Sequence, residues 1–240
     1  MTDEQIPPGG TKVADDAPWE AWRPDEAARL LAGLTVPWCV AAGWALDLFR
    51  GEQTREHGDL EIAVPAPDFG VVRDALAGYE METIGAGRAW PLDSPAFDVM
   101  HQTWVRDPAA GVYRLDIFRE PQRDGAWVCR RDETITLPYR RIIRRTPGGI
   151  PYLAPEIVLL FKAKHAAEPK NQADFAGTLP RLEPGAVGWL RWALRRVHPG
   201  HAWLAALGEP DAAGPDAAGP GAAGPGAAGP GAAGPRAAPS

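Results

Sequence analysis

Two stretches decide the fold of this chain: Val40-Ala41-Ala42-Gly43-Trp44-Ala45-Leu46-Asp47 and Asp59-Leu60-Glu61-Ile62-Ala63-Val64. The first predicts a short apolar strand over residues 38–42, a turn at Gly43 and a helix over residues 44–49. In the second, side chains alternate between the two faces of a strand, so Asp59 and Glu61 share one face while their apolar neighbours enter the core. Two adjacent carboxylates repel each other unless a cation lies between them, and their hard oxygen atoms suit Mg²⁺.

The turn at Gly43 predicts a place for phosphate. Glycine lets a phosphate approach the main chain, and the N–H groups that open the next helix bind anions. An Asp-x-Glu strand alone is usually a solvated face, and a glycine turn alone is common, but in this order each supplies the context that the other needs. The combination predicts metal-dependent nucleotidyl transfer, with the nucleotide at Gly43 and Trp44 and the metal at Asp59 and Glu61.

A third carboxylate of the site is expected at Asp116, within the predicted strand Tyr113–Phe118. Its neighbours are apolar, and a charge inside such a strand is unfavourable unless it meets a cation. The alternative is a charge that faces solvent on a half-exposed strand. We expect Asp116 to act with Asp59 and Glu61 as a metal ligand and catalytic residue, and to be the general base if one is needed.

Five segments together resemble the aminoglycoside 2''-adenylyltransferase-like family of the DNA polymerase β-type nucleotidyltransferase superfamily: Ala41–Asp47, Thr54–Ile62, Tyr113–Phe118, Trp127–Arg131 and Gly149–Phe175. The resemblance extends over roughly residues 18–207. It implies ATP as co-substrate, Mg²⁺ as cofactor and transfer of AMP to an acceptor hydroxyl, and it does not settle the acceptor. The chain departs from the family at Ala42, where a second glycine is common, and at Asn171, where an acidic residue usually follows Lys170.

We expect an α+β protein with the nucleotidyltransferase fold. A small mixed β-sheet backed by helices forms the predicted nucleotidyltransferase domain over residues 18–150, and a C-terminal helical lobe follows over residues 151–207. Residues 1–17 are expected to be disordered from their composition. Residues 208–240 are expected to be a disordered tail, because Pro and Gly recur in its five-residue Ala/Gly/Pro repeats and exclude both helix and paired strand.

Within the predicted domain, a helix is expected to begin at Pro24 and another to cover residues 68–78. Aromatic and β-branched residues predict strands at Val99–Val105 and Ala126–Arg130, in addition to Tyr113–Phe118.

A helix beginning at Pro155 supplies the candidate phosphate-binding lysines, Lys164 and Lys162. On a helical wheel Lys164 shares the apolar face of Ile157 and Leu160, whereas Lys162 points elsewhere. We therefore prefer Lys164, at the boundary between the lobes. The alternative is a lysine whose stem packs at the edge of the interface while its charge reaches water.

Four further residues are candidates to contact or support the acceptor: Arg55, His57, Lys170 and Asp174. Lys170 and Asp174 lie four residues apart, the spacing of a helical ion pair, and Asp174 is expected to face the cleft.

Composition excludes several protein classes. The chain has 240 residues, a net charge of −6 and two cysteines, Cys39 and Cys129, which are too few for a disulfide framework and are expected to be buried thiols. Its apolar runs are far shorter than a membrane span, and its acidic, Pro- and Gly-containing start does not resemble a signal peptide, so we expect a cytoplasmic protein without a membrane partner. A nucleic-acid partner is not expected, because the sequence does not indicate a strongly basic surface. The oligomeric state is not determined by the sequence.

Three functions stay open at this point. The first is an adenylyltransferase that acts on a hydroxyl-bearing small molecule, including an aminoglycoside. The second is a toxin-like nucleotidyltransferase that acts on protein or tRNA. The third is a nucleotide-binding interaction protein without turnover, to which only Ala42 points.

Overall fold

The computed structural model describes residues 6–208. The strands are Thr11–Lys12 (β1), Cys39–Val40 (β2), Glu61–Pro65 (β3), Glu80–Gly85 (β4), Arg88–Pro91 (β5), Gln102–Asp107 (β6), Val112–Glu120 (β7), Gln122–Arg123 (β8), Ala126–Val128 (β9), Thr136–Pro138 (β10), Ile143–Arg145 (β11) and Pro151–Leu153 (β12). The α-helices are Pro24–Leu30 (α1), Ala42–Arg50 (α2), Phe69–Ala75 (α3), Ala96–Val99 (α4), Tyr139–Ile142 (α5), Pro155–Lys162 (α6), Pro169–Thr178 (α7), Pro184–Val197 (α8) and Trp203–Ala206 (α9).

Local sequence sets where the longer helices begin. The helices α1, α6, α7 and α8 each open with proline in their first turn, where no intrahelical N–H bond is lost. In α1, Glu26 also accepts a 2.7 Å hydrogen bond from the main-chain N–H of Arg23. The helix α2 ends at Gly51, whose φ of 79° lies in the left-handed region that glycine adopts without strain.

Within the described residues, nine strands form one sheet in the order β1-β5-β4-β6-β7-β3-β2-β12-β11, and β8, β9 and β10 form a second. The pairs β3·β7 and β2·β12 are parallel, and the other pairs in the large sheet are antiparallel. The α+β class is thus confirmed, and the sheet is mixed as predicted. It is larger than expected because strands of two or three residues at β1, β11 and β12 extend it, whereas β2 lies within the strand predicted for residues 38–42.

Several predicted boundaries differ from the structure. Residues 96–99 form α4 rather than the start of a strand, so β6 begins only at Gln102. Asp59 lies two residues before β3 rather than inside it. Residues 151–153 pair within the large sheet, so the helices of the C-terminal part begin at Pro155. The division into two domains stays a prediction.

The N-terminal segment differs from the disorder predicted for residues 1–17, as far as it is described. Thr11 and Lys12 pair with Ala89 and Arg88, and the Trp90 indole N–H donates to the Pro8 carbonyl oxygen at 3.1 Å. Residues 1–5 and 209–240, which include nearly all of the predicted repeat tail, lie outside the described residues.

The helix α6 packs the C-terminal helices against the rest of the protein. Four consecutive side chains in it are almost fully buried: Ile157, Val158, Leu159 and Leu160. The helix contacts α2, α7 and α8, so it is covered on several sides rather than along one stripe. No helix between residues 6 and 208 is long and apolar enough to cross a membrane. Cys39 and Cys129 are buried free thiols, as predicted.

Candidate active site

The turn between β2 and α2 brings main chain close to two side chains of the following loop. A Cβ atom at Gly43 would lie 2.7 Å from His57 Cε1 and would also collide with the Arg55 guanidinium, so only glycine fits there. The residue before it, Ala42, has a φ of 46°, in the left-handed region that a side chain disfavours. The Ala41 N–H donates to the Glu61 carbonyl oxygen at 2.8 Å, which ties this turn to β3.

Trp44 supports the site from behind rather than lining it. Its side chain is 7% exposed, and its ring stacks on His57 with 4.4 Å between ring centroids. The Arg23 guanidinium lies over the Trp44 ring, 5.2 Å from its centroid. The Trp44 ring therefore fixes the position of His57, and the nucleotide contact predicted for Trp44 stays a prediction.

Glu61 and Asp116 are direct neighbours across the parallel pair β3·β7. Residues opposite each other in such a pair project from the same face, so the two carboxylates are side by side. Asp59, just before β3, lines the same cavity as Glu61. Asp116 is 3% exposed and lies deeper. The structure thus brings together the three carboxylates predicted from the sequence, which we call the carboxylate side of the cavity.

These carboxylates are held in an environment that disfavours their charge. Burial raises the pKa of Glu61 well above its ordinary value, and the charges of Asp59 and Asp116 raise it further. The pKa of Asp116 is raised to about 7, mainly by burial; the hydrogen bond from Gln102 opposes this shift, and the charge of Asp59 adds to it. Gln102 Nε2 donates to Asp116 Oδ2 at 2.8 Å, and the indole N–H of Trp104 also approaches this carboxylate and lowers its pKa, although the buried Oδ1 atom accepts no hydrogen bond of standard geometry.

A cation fits the chemistry of this carboxylate set. Oxygen ligands, mutual repulsion and the unpartnered Asp116 Oδ1 atom are all features that a divalent ion would satisfy. As the side chains stand, no group of three or more His, Cys, Asp or Glu residues between 6 and 208 is arranged as a finished metal site.

The opposite wall of the cavity is positively charged. The cavity has a volume of about 400 Å³, and Arg55, Lys162 and Lys170 line it together with His57 and Gly43. We call these three long cations the cation side. Because α2 contacts both α6 and α7, residues far apart in sequence meet beside the Gly43 turn.

A buried ion network fixes the cation side. Asp174 is 3% exposed, and its carboxylate lies 2.9 Å from Lys162 Nζ and 3.7 Å from Arg55 Nη2. Lys162 Nζ also donates to Asn171 Oδ1 at 3.1 Å, and Asn171 Nδ2 donates to the His165 carbonyl oxygen at 2.9 Å. Asn171, the departure from the family pattern, thus places a neutral amide beside Lys162.

The network continues into α2 through Arg50 and Asp47. Arg50 Nη2 donates to the Asp174 carbonyl oxygen and to Thr178 Oγ1, both at 2.8 Å. Asp47 accepts a 2.6 Å hydrogen bond from Thr54 Oγ1 and lies 2.6 Å from His57 Nε2. Because an ionised carboxylate can only accept, we assign the Nε2 proton to His57. Burial lowers the pKa of His57, which keeps the ring neutral near pH 7 despite this hydrogen bond.

Two predictions about the lysines are wrong. Lys164 lies beyond the end of α6 in a 3₁₀ turn, Ala163–His165, and is exposed, whereas Lys162 lines the cavity. The helical wheel failed because the α-helix ends at Lys162 and the tighter turn changes the direction of the next side chains. Lys170 also does not pair with Asp174; its Nζ atom lies 3.3 Å from Glu168, while the Asp174 carboxylate contacts Lys162.

Sequence reasoning missed the roles of Asp47, Arg50 and Trp19. Asp47 and Arg50 are charges three residues apart on an otherwise apolar helix, a signal of a buried pair, and they lie 3.7 Å apart. Trp19 lines the cavity beside Asp59, but no local pattern around it indicates this position.

Comparison with known proteins gives one family. A family model described as aminoglycoside-2''-adenylyltransferase matches residues 26–88, a segment from α1 to β5 that contains Gly43, Asp59 and Glu61. No protein of curated function matches the chain in sequence.

Three solved structures are similar to this chain. The solution structure of the antibiotic-resistance factor ANT(2'')-Ia is 15% identical, with a TM-score of 0.49 over 72% of this chain and 89% of that chain. A crystal structure of ANT(2'')-Ia in complex with adenylyl-2''-tobramycin is 16% identical, with a TM-score of 0.49 over 72% and 94%. The lincomycin-bound lincosamide antibiotic adenylyltransferase LnuA is 20% identical, with a TM-score of 0.46 over 69% and 96%.

The family match agrees with the motifs at the site. Gly43, Asp59 and Glu61 all fall inside the matched segment, whereas Asp116 and Lys162 fall outside it. The resemblance to the aminoglycoside 2''-adenylyltransferase family is therefore confirmed over residues 26–88, and with it the prediction of a nucleotidyltransferase enzyme.

Proposed function

We propose that this chain transfers AMP from ATP to a hydroxyl group of a small molecule, with Mg²⁺ as cofactor. The observation that carries the proposal is the division of one cavity into a cation side and a carboxylate side. Phosphoryl chemistry needs both, because the triphosphate is anionic and the reacting phosphorus needs a metal held by carboxylates. The family match over residues 26–88 supports the same chemistry.

The cation side is the proposed site of the triphosphate. The N–H groups that open α2 at Gly43 are available to phosphate oxygens, and the absence of a side chain at Gly43 leaves room for the Arg55 guanidinium and the His57 ring beside them. Lys162 and Lys170 add positive charge from the other side of the cavity, and Arg55 adds it from the loop. Asp174 holds Lys162 and Arg55 in place before ATP arrives, so little side-chain ordering is needed on binding.

Asp59, Glu61 and Asp116 are the residues that would hold Mg²⁺. When bound there, the ion would neutralise charge on the phosphates and favour ionisation of the attacking hydroxyl. Asp116 is also the proposed general base, if the reaction needs one. Gln102 keeps the Asp116 carboxylate in a fixed orientation through Oδ2.

Aminoglycosides are the first acceptors to test, because the matched family is described by that activity. Purified protein should release pyrophosphate from ATP, in the presence of Mg²⁺, only when an aminoglycoside or another hydroxylated small molecule is added. GTP, CTP and UTP tested in parallel define the nucleotide preference. Asp59→Asn and Asp116→Asn should lose this release while keeping the thermal unfolding transition.

The same assay separates the other acceptors. Silence with every small molecule, together with Mg²⁺-dependent binding of a nonhydrolysable ATP analogue in calorimetry, would refute a small-molecule acceptor and favour a protein or tRNA. Absence of Mg²⁺-dependent nucleotide binding would refute nucleotidyl transfer itself.

A further inference from the structure

Three aromatic side chains form a wall next to the carboxylate side: Trp19, Trp104 and Tyr113. The Trp19 ring packs edge-on against Trp104 with 5.0 Å between centroids, and it lies 5.4 Å from the Tyr113 ring. Trp104 and Tyr113 lie 5.0 Å apart, also edge-on. Each ring therefore contacts the other two, and the cluster holds the Trp19 indole in one orientation.

Main-chain hydrogen bonds also hold the segment around Trp19 in place. The Tyr113 N–H donates to the Pro18 carbonyl oxygen at 2.8 Å, and the Glu20 N–H donates to the Tyr113 carbonyl oxygen at 3.0 Å. Two residues later, the Trp22 N–H donates to the Arg114 carbonyl oxygen at 3.0 Å. The segment 18–22 thus runs parallel to the start of β7, at the place in the sheet that β3 takes further along.

The order of strands places this wall opposite the cation side. Trp104 on β6 is the direct neighbour of Asp116 on β7, which is the direct neighbour of Glu61 on β3. The Gly43 turn follows β2, on the far side of β3, where α2 meets α6 and α7. In the strand order Trp104 and the Gly43 turn therefore lie on opposite sides of Asp116 and Glu61, and Trp19, whose ring packs on Trp104, lines the cavity together with Asp59 and Glu61.

This arrangement determines which reactant Trp19 faces, provided that the proposed function holds. In phosphoryl transfer the attacking and leaving oxygens are roughly in line through the phosphorus, so the acceptor approaches from the side opposite the pyrophosphate. With the pyrophosphate at the cations and the phosphorus at the carboxylates, the acceptor comes to the aromatic wall.

We propose that Trp19 is a specificity-determining residue that binds the ring face of the acceptor, a saturated glycoside ring carrying hydroxyl and ammonium groups. The indole offers a large rigid apolar surface to the ring C–H groups and a negative π face to an ammonium group. Tyr113, a member of the wall, donates its hydroxyl hydrogen to Glu82 at 2.9 Å, so the Glu82 carboxylate adds negative charge beside the wall.

Calorimetry on the full chain tests this assignment with two probes, tobramycin and a nonhydrolysable ATP analogue with Mg²⁺. Trp19→Ala should weaken tobramycin binding about tenfold and leave the affinity for the analogue within about twofold. Trp19→Phe should restore most of the loss, whereas Trp19→Leu, which keeps apolar bulk without a π face, should not. The matched control is Trp192→Ala, a tryptophan on α8 that is 37% exposed and does not line the cavity.

Three outcomes would overturn the assignment: unchanged tobramycin affinity in Trp19→Ala and Trp19→Leu, a loss confined to the ATP analogue, or no tobramycin binding by the wild-type chain. The second outcome would assign the indole to the nucleobase instead. None of the three decides the proposed function, which fails separately if the wild-type chain shows no Mg²⁺-dependent nucleotide binding. Trp19→Leu and Trp19→Phe keep the test valid if Trp19→Ala unfolds.

Discussion

The cation side and the carboxylate side of the cavity face each other, but their charges are balanced in different ways. Lys162 and Arg55 both contact the buried carboxylate of Asp174, and Lys162 has a further partner in Asn171. On the other side, burial and mutual repulsion raise the pKa values of Glu61 and Asp116. The nearby charges of Lys162 and Arg55 act to lower the pKa of Glu61 without reversing that shift.

The charges of the cation side are therefore balanced within the folded chain, whereas those of the carboxylate side are not. The cations are positioned by internal partners, so they are ready for an anion before it binds. When ionised, the carboxylates would carry more negative charge than their protein neighbours balance, as the raised pKa values of Glu61 and Asp116 indicate. A cation from outside the chain therefore has most to contribute on the carboxylate side. Substitutions on the two sides should accordingly affect different properties, activity on one and stability on the other.

The largest expected effect is on activity at the carboxylate side. Asp59→Asn should lower kcat/KM by about 10³-fold or more, because an amide is a poor ligand for Mg²⁺ and removes charge beside the reacting phosphorus. Stability should stay equal or rise slightly, since one of three repelling charges is lost. Pyrophosphate release and thermal unfolding measure the two effects. The matched control is Glu56→Gln, an exposed carboxylate three residues away, which should keep wild-type activity. Retention of more than about a tenth of the activity by Asp59→Asn would contradict the assignment.

The next effect is on stability at the cation side. Asp174→Ala should lower the free energy of unfolding by about 3–5 kcal/mol, because it leaves the buried charges of Lys162, Arg50 and Arg55 without their common partner. Urea denaturation measures the change. Glu168→Ala, which removes the exposed partner of Lys170, should cost about 1 kcal/mol or less. Equal losses in the two variants would show that the network does not stabilise the cation side.

The two sides of the cavity also differ in how much of each can be predicted from the sequence. Glu61 and Gly43 belong to short motifs whose geometry is local, so strand alternation and turn chemistry indicate them, and Asp59 lines the same cavity as Glu61 although it lies just before the strand. The cation side is built by tertiary contacts between α2, α6 and α7. Whether Lys162 or Lys164 faces the cavity depends on where α6 ends, and helix ends are the least predictable part of an element.

The fold shows the same division between local and distant information. The longer elements α6 and β7 have clear apolar periodicity or β-branched and aromatic content, and the sequence predicted both. The strands β1, β11 and β12 have two or three residues each, too few for a pattern, and they form because neighbouring strands offer unpaired main-chain groups. For Trp19, its pairing with Tyr113 is a contact across 94 residues that no local signal indicates.

A smaller effect, of pH, follows from the raised pKa of Asp116, which is about 7 in the folded chain. Between about pH 4 and pH 7 the folded chain binds this proton more tightly than the unfolded chain, so stability falls as pH rises across that window, by roughly 2–4 kcal/mol. Urea denaturation at a series of pH values in EDTA measures the slope. Asp116→Asn should make the slope shallower, with the remainder coming from Glu61, whose pKa is also raised, whereas Asp93→Asn on an exposed loop should leave it unchanged. Mg²⁺ should restore stability at the upper end of the window. A slope that is the same in wild type and Asp116→Asn would contradict the balance described for the carboxylate side.

The smallest effect concerns the turn that joins the two sides, where neighbouring residues have opposite requirements. Ala42 adopts a φ of 46°, which costs a residue with a side chain about 1–2 kcal/mol. Glycine relieves this strain but gives the unfolded chain more conformational freedom, so Ala42→Gly should stabilise the folded chain by a net of about 1 kcal/mol. Gly43→Ala should do the reverse, by about 1–3 kcal/mol, because its Cβ atom would meet His57 and Arg55. Urea denaturation of both variants and the double exchange measures the two signs. If Ala42→Gly also lowers KM for ATP, the methyl group of Ala42 obstructs the phosphate as well as straining the turn; an unchanged KM would confine its effect to the backbone.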